Sequence, residues 1–448
     1  MSHSLNKKLY YLYILTLPFS RFVDLPFGEF VNKILTCFSS YVMIIGLVLL
    51  FFQHRLIYSQ RLKPFFLIWV FMTTYSFLAS FILLLTSDEL IENPLYSCLN
   101  DIVLYFLFFL SIYYNYYHLS RTITFNQLFP IFNLSLITLL VIGFLQLGTI
   151  FSLPLCGSIY NLFSSVFALN TSEYLIFMNR GVTLFGPEPA SVAQLLTFYV
   201  PFIMGMILYG YRKKYYMFLL LLFTLLFILS NSSSVAILYS IVIMLFIYCL
   251  FKQKIGKYIF CGSFFLGMSI AVIYSLDINV KGNANKNMES LGYMIYGKLI
   301  DKENMSTAMR ASTVINDMKI FYDYPLTGIG NGNQCLYYEK NIPFWVTASP
   351  EVQNLLFNKH LVNGGGNFFA TYLSAFGLIG ILVLLLFVKE YSFLYKSSFL
   401  TVSHIANFCF SVGVVLFLVS SWYVVGLKNS EMMAFVLTLP LIKKTRII

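Results

Sequence analysis

The sequence predicts an all-α, polytopic integral membrane protein, and three observations carry that prediction. Hydrophobic residues make up 59% of the 448 residues and charged residues only 10%, whereas charged residues form about a quarter of an ordinary soluble domain. Apolar runs repeatedly reach ~20 residues, the length that crosses a bilayer core. These runs lack the period-two alternation of membrane β-strands, so helices must satisfy the backbone polar groups in lipid.

Hydropathy and turn signals together place about twelve spans in the chain. No small-residue cleavage site follows the first span, so we expect it to remain as a helix. The spans are predicted near residues 9–24, 33–52, 64–86, 97–117, 128–150, 190–210, 215–230, 234–251, 257–276, 367–388, 403–421 and 430–442.

The charge distribution predicts that both chain ends face the cytoplasm. With that orientation, 17 of the 29 Lys and Arg residues fall inside, in clusters such as "YRKK" (211–214), and 12 fall outside. Of the 18 acidic residues, only Glu390 falls inside. The net charge of +11 therefore reports membrane orientation by the positive-inside rule, and nucleic acid is not a predicted partner.

Two long segments interrupt the pattern of short loops, and both are predicted on the outer side. They cover residues 151–189 and 277–366, and loops longer than ~15 residues are usually functional or disordered. In the second, "TAMRASTVINDMKIFYD" (307–323) repeats apolar residues at helical spacing. We expect helices lying on the membrane there, packed against the first loop. No internal repeat or soluble domain interrupts residues 1–448, which form a single polytopic domain.

A carboxylate stands at the end of the first long loop, in "GPEPAS" (186–191). Pro189 suits the first turn of a helix, where its missing N–H costs nothing. Glu188 would then lie at the amino end of the sixth span, where the helix dipole favours negative charge. It is either a helix-start residue or part of a site. Arg180, eight residues earlier, favours the site.

The second long loop carries a charged helix and a glycine-rich string. Arg310, Asp317 and Lys319 are predicted on a helix that stops at Pro325. The string "GIGNGN" (328–333) follows and lacks the Lys-Ser/Thr of a phosphate loop. Its composition favours a tight turn over a ligand cradle.

The entry to the tenth span reads "KHLVNGGGNFF" (359–369). Asn367 could cap the helix, as asparagine commonly does, and His360 is either a bystander or a site residue. Cys156 and Cys335 lie on the two outer loops, where a disulfide between them is conceivable. No Cys/His spacing suggests a metal site.

Three motifs in order resemble those of the O-antigen polymerase/ligase superfamily, and the chain is most similar to Wzy-type polymerases of bacterial surface polysaccharide. They are "RGVTLFGPEPAS" (180–191), an Arg followed by "FYDYPLTGIGNGN" (310 and 321–333), and "NFFATYLSAFGLIG" (367–380). The resemblance covers roughly residues 130–390. It implies a GT-C-like, multi-pass enzyme of the bacterial inner membrane with its active site facing the periplasm.

By this resemblance, the enzyme joins oligosaccharide repeat units carried on undecaprenyl diphosphate and needs no metal or other cofactor. Arg180 and Arg310 would stabilise the diphosphate leaving group, since arginine matches phosphate with a bidentate fork. Glu188 would accept the proton of the acceptor hydroxyl or orient Arg180. The remaining candidates for substrate binding are Lys319, Asn331, His360 and Asn367. A chain-length regulator, a flippase and membrane lipids are the implied partners.

Two alternatives stay open at this point. The ligase branch, which transfers glycan to lipid A core, usually shows a His-Asn pair entering the span where this chain has "GGGN" (364–367). This departure favours the polymerase. A lipid-linked oligosaccharide flippase would also have about twelve spans, but transporters commonly show internal repeats and charged sites at mid-span. The sequence shows neither feature.

Overall fold

The computed structural model describes most of the chain outside residues 231–304. The described residues are 2–19, 37–86, 94–167, 175, 182–184, 192–209, 212–230, 239, 242–243, 246, 305–347, 349, 352–353, 356, 367–399, 404–420 and 430–442. Helices and the turns between them make up these residues, which include no strand. The spans predicted at 234–251 and 257–276 lie outside the described residues.

Numbered in chain order, the helices confirm the predicted all-α class over the described residues. They are α1 (Ser2–Thr16), α2 (Phe38–Phe52), α3 (Lys63–Thr86), α4 (Pro94–Arg121), α5 (Phe129–Ile150), α6 (Pro154–Phe167), α7 (Val192–Tyr209), α8 (Lys213–Ile228), α9 (Met305–Asp323), α10 (Cys335–Asn341), α11 (Phe368–Phe399), α12 (His404–Ser420) and α13 (Ser430–Thr438).

Among the described residues, four helical stretches are long and apolar enough to cross a membrane: Gln60–Thr86, Asp101–Arg121, Phe125–Ile150 and Phe368–Leu394. Shorter apolar helices accompany them, such as Phe38–Phe52. Large apolar side chains on α3 remain exposed, including Leu78 and Leu85, which suits a surface that faces lipid. The architecture is consistent with an integral membrane protein.

Several predicted boundaries agree closely with the helices observed. The predictions 64–86 and 128–150 correspond to α3 and α5, which begin at Lys63 and Phe129. The first helix differs, because α1 covers Ser2–Thr16 rather than 9–24. Helix α6 lies within the predicted loop 151–189, where the sequence reading named no helix, and it packs against α5.

Proline explains where several of these helices begin. Pro94 and Pro154 are the first residues of α4 and α6, and Pro130 occupies the first turn of α5. Proline has no N–H to leave unpaired, and its fixed φ is already helical, so it favours the first turn. Mostly apolar residues further along continue each helix.

Buried polar side chains join the first helices to α4. The Tyr10 hydroxyl donates to Oδ1 of Asn115 at 3.0 Å, and the Tyr13 hydroxyl bonds to that of Ser111 at 2.7 Å. All four side chains are inaccessible to solvent. In an apolar surrounding such groups must pair with one another, so they fix how α1 packs against α4.

One part of the structure packs the described residues of the second long loop (277–366) against the membrane helices. Helix α9 ends at Asp323, shortly before Pro325, as the sequence predicted. It packs against α11, which in turn packs against α3, and α3 packs against α4. This part of the structure holds every described residue that the sequence singled out for chemistry.

Candidate functional site

Helix α11 is broken at Gly377, whose φ of 57° and ψ of −153° are not helical. Such a break frees backbone groups that the helix would otherwise pair, and buried backbone groups must find other partners. Here the loop after α9 supplies them. Four backbone hydrogen bonds result, each named donor first: Ile329 to Ser374 (3.0 Å), Gly330 to Ala375 (2.8 Å), Leu378 to Pro325 (2.9 Å) and Ile379 to Leu326 (3.2 Å).

The glycines of "GIGNGN" make this close approach possible. Gly328, Gly330 and Gly332 all have positive φ, at 63°, 79° and 89°, a region that favours glycine. A Cβ at Gly328 would lie 2.5 Å from the carbonyl carbon of Ala375. The tight turn that the sequence favoured is confirmed, and it is also a docking surface for a broken helix.

The same loop reaches far along α3. The N–H of Asn331 donates to Oγ of Ser76 at 3.1 Å, and Nδ2 of Asn333 donates to Oγ of Ser80 at 2.9 Å. Ser76 lies ten residues before the end of α3 at Thr86, roughly 15 Å along the axis at 1.5 Å per residue. Irregular backbone at such depth is tolerated where protein surrounds it, as it does here.

The side chain of Asn331 in this loop binds a carboxylate that the sequence analysis did not identify. Its Nδ2 donates to Oδ2 of Asp101 on α4 at 2.7 Å. Asn331 is buried, and Asp101 keeps partial exposure. The available signal was an acidic residue inside a predicted span, 97–117, which marks a functional site by default. The charge count places Asp101 only among the acidic residues of the outer side.

A second carboxylate, Asp317, joins α9 to the beginning of α11. Its Oδ2 accepts a hydrogen bond from the Thr371 hydroxyl at 2.8 Å, while its Oδ1 has no hydrogen-bond partner among the described residues. Asp317 is completely buried. Burial raises its pKa to about 7, against the opposing effect of the Thr371 and Ser374 hydroxyls, because a buried carboxyl disfavours its charged form.

Lys319 contacts the last residue of helix α10. Its Nζ donates to the carbonyl oxygen of Asn341 at 2.6 Å. The Asn341 side chain donates to Oδ1 of Asn316 at 3.0 Å, and Asn316 donates to the carbonyl oxygen of Gln334 at 3.0 Å. This chain of bonds ties α9 to α10. The structure therefore gives Lys319 a structural contact, and its substrate contact stays a prediction.

Asn367 caps α11, as predicted. Its Oδ1 accepts hydrogen bonds from the N–H groups of Phe369 and Ala370, at 2.8 and 3.2 Å. These are two of the N–H groups that a helix start leaves without an intrahelical partner. The cap fixes the first turn of α11, from which Thr371 reaches Asp317.

Arg310 lies on the same helix as Asp317, two turns earlier. Its side chain is half-buried. The Thr313 hydroxyl donates to the carbonyl oxygen of Arg310 at 2.9 Å. Among the described residues, no acid pairs with its guanidinium. Arg180, Glu188 and His360 lie outside the described residues.

The conceivable disulfide is absent. Cys156 and Cys335 do not form one. The Cys335 thiol instead donates to the carbonyl oxygen of Gly332 at 3.4 Å. In the described ranges no group of three or more His, Cys, Asp or Glu side chains could hold a metal ion.

The segment that contains this site is similar to a known protein family. Residues 216–388 match the O-antigen ligase family model. The match supports the O-antigen polymerase/ligase superfamily, and its members act on lipid-linked glycans. The matched segment includes α9, the glycine loop and the broken part of α11, so both sides of the docking junction belong to it. Comparison with curated proteins found no match.

We predict that alanine at Gly328 or Gly377 disrupts the junction. A Cβ at Gly377 would lie 2.5 Å from the carbonyl oxygen of Leu326, and its positive φ costs a further ~1–3 kcal/mol for a non-glycine residue. Thermal unfolding of the purified variants in detergent should show a clearly lower Tm. Gly157→Ala is the matched control, since nothing lies within 4 Å of its added Cβ. Equal melting of all three variants would contradict the docking role.

We predict that Asp317→Asn makes the protein more resistant to heat at pH 8 than the wild type. An aspartate in an unfolded chain has a pKa near 4, whereas burial raises that of Asp317 to about 7. The stability that its proton contributes is therefore fully present below pH ~4 and is lost as the pH rises through about 7. Asparagine keeps an acceptor for Thr371 and does not ionise.

The measurement is Tm in detergent between pH 5 and pH 8. The difference in favour of Asp317→Asn should grow with pH. Asp323→Asn removes an exposed carboxyl from the same helix and serves as the control for the loss of one charge. A difference that stays constant over this pH range would rule out the titration of Asp317.

Proposed function

We propose that this protein is a glycosyltransferase that polymerises oligosaccharide repeat units carried on undecaprenyl diphosphate into O-antigen or a related surface polysaccharide. The observation that carries the proposal is Arg310. Arg310 is half-buried and meets no described acid. It lies on α9, which packs against α11, within the segment that matches the family. A positive charge placed in this way is suited to an anionic substrate.

The chemistry requires such a charge. As the glycosidic bond forms, the bond between the anomeric carbon and the diphosphate breaks, and negative charge builds on the leaving oxygen. A guanidinium held in place stabilises that charge through two parallel hydrogen bonds. Arg180, on the other long loop, is the proposed second cation. The activated diphosphate makes both a nucleotide and a redox cofactor unnecessary.

Glu188 is the proposed acceptor of the proton from the attacking hydroxyl. A position at the amino end of a helix would lower its pKa and weaken it as a base. In that case its role is to orient Arg180 or to bind sugar hydroxyls. Its proposed place at the membrane surface fits a substrate whose lipid tail stays in the bilayer.

Polymerisation is favoured over ligation by the residues that enter α11. The side-chain oxygen of Asn367 caps that helix, and glycine rather than histidine precedes Asn367. A His-Asn pair typical of the ligase branch is therefore missing at this place. The second candidate is an O-antigen ligase acting on lipid A core, and ligase is the activity in the description of the matching family.

The proposed setting is the bacterial inner membrane, with residues 151–189 and 277–366 facing the periplasm. The positive-inside rule supports this orientation. A flippase would deliver the lipid-linked unit to that side, and a chain-length regulator would limit the polymer. The decisive experiment supplies purified protein with lipid A core and with lipid-linked repeat units from a strain that lacks this gene. A ladder of chain lengths is expected; transfer to lipid A core alone would indicate a ligase.

We predict that Arg310→Ala and Arg180→Ala lower the polymerisation rate by ~10²–10³-fold, as the loss of one donor to a developing charge does. Arg→Lys at either position should recover little, because lysine keeps the charge but loses the planar fork. Lys340→Ala removes an exposed cation from the same loop and should leave the rate unchanged. Full ladders from the two Arg→Ala proteins at normal expression would contradict the assignment.

We predict that Glu188→Gln nearly abolishes polymerisation while the protein stays folded in the membrane. General base catalysis contributes ~10²–10⁴-fold, and a neutral amide cannot replace it. A helix-start role would cost only ~0.3–1 kcal/mol and would spare activity. The rate is measured in detergent with Tm recorded alongside, and Glu188→Asp should give an intermediate rate. Near-normal turnover by Glu188→Gln would leave only the helix-start role.

A further inference from the structure

We propose that Asp101, Asn331 and Tyr105 form a subsite that binds hydroxyl groups of a sugar in the lipid-linked repeat unit. This inference rests on the proposed function and adds a contact to the glycan, separate from the arginines that face the diphosphate. The geometry that points to it is a carboxylate in an apolar helix, held by an amide from the docked glycine loop.

The position of Asp101 is the first argument. It lies seven residues after Pro94, the first residue of α4, roughly 10 Å along the helix at 1.5 Å per residue. The stretch Asp101–Arg121 is apolar enough to cross a membrane. A carboxylate at such a place is costly in contact with lipid, so it faces the protein interior or a polar cavity. Asp101 keeps partial exposure, so it is not sealed within the helix packing.

The second argument is that the carboxylate is only partly satisfied. An ionised carboxylate offers about four acceptor positions. The side chain of Asn331 fills one of them, at 2.7 Å. Within the described ranges no Lys, Arg or His forms an ion pair with Asp101. Sugar hydroxyls are hydrogen-bond donors suited to the other acceptor positions.

The third argument concerns the residues beside the carboxylate. Tyr105 lies one turn further along α4, and its hydroxyl interacts electrostatically with both Asp101 and Asn331. Its ring is partly buried against the cluster that contains Tyr372 and Phe376. A carboxylate, an amide and a partly exposed aromatic ring together suit a sugar, because the polar groups bind its hydroxyls and the ring covers its C–H face.

A purely structural role does not account for a carboxyl group at this place. The glycine loop is already held by four backbone hydrogen bonds to α11 and by Ser76 and Ser80 on α3. The bond between Asn333 and Ser80 shows that a hydroxyl suffices to hold an asparagine side chain of this loop. A carboxyl group opposite Asn331 is therefore more than the loop requires, and binding of a sugar hydroxyl gives it a use.

The test is Asp101→Asn in the full-length protein in detergent. Asparagine keeps the shape and an acceptor for Asn331 but removes the charge. We expect KM for the lipid-linked repeat unit to rise ~10-fold, since hydrogen bonds to charged groups are the stronger ones, with kcat within about threefold and Tm unchanged. Tyr105→Phe keeps the ring, loses one hydroxyl and should raise KM by about threefold.

Asp323→Asn is the matched control, because it makes the same change at an exposed carboxyl group on α9, outside the subsite. Its KM should equal that of the wild type. A wild-type KM for Asp101→Asn overturns the subsite, and so does an equal rise for Asp323→Asn. If Asp101→Asn does not fold, an unchanged KM for Tyr105→Phe overturns it instead.

The subsite and the proposed function can fail separately. Absence of polymer from the wild-type protein would refute the polymerase. Binding of the same extracted lipid-linked repeat unit is then measured directly, without turnover. The wild type should bind it ~10-fold more tightly than Asp101→Asn, and equal affinity would refute the subsite.

Discussion

The candidate site depends on backbone hydrogen bonds between α11, which is broken, and the loop that follows α9. Helix α11 breaks at Gly377, and the loop after α9 turns back on itself through glycines with positive φ. Each segment has backbone N–H and C=O groups without partners in its own helix or turn, and unpaired groups are costly in an apolar surrounding. Four hydrogen bonds between the two segments pair these groups. Two motifs that are separated by over thirty residues in the sequence are thereby parts of one structural unit.

These hydrogen bonds determine where the charged residues lie. Because the loop is held against α11 and α3, Asn331 reaches Asp101 on α4, and α9 is brought beside the first turns of α11, where Thr371 contacts Asp317. Arg310 extends from the same helix with no described acid beside it. A rigid frame of this kind is what electrostatic stabilisation of a leaving group requires, since donors must already be in place when the charge develops.

Sequence reading succeeded where a local rule was sufficient. The end of α9 before Pro325, the Asn367 cap and the glycine turn follow from rules that concern a few neighbouring residues. It failed where the partner lies far along the chain. Asp101 carries no local sign that Asn331 will reach it across 230 positions. The break at Gly377 also looks like continuous helix, because a glycine inside a span is common.

By itself, the sequence determined the all-helical class and the apolar segments, and it named the candidate residues for binding an anion, because length, hydropathy and side-chain chemistry act locally. Only the tertiary structure decided which of those residues meet. Burial of Asp317 and the contact between Asn331 and Asp101 arise from packing among α3, α4, α9 and α11. Backbone groups left by one segment find partners only on another, and no local pattern records that pairing.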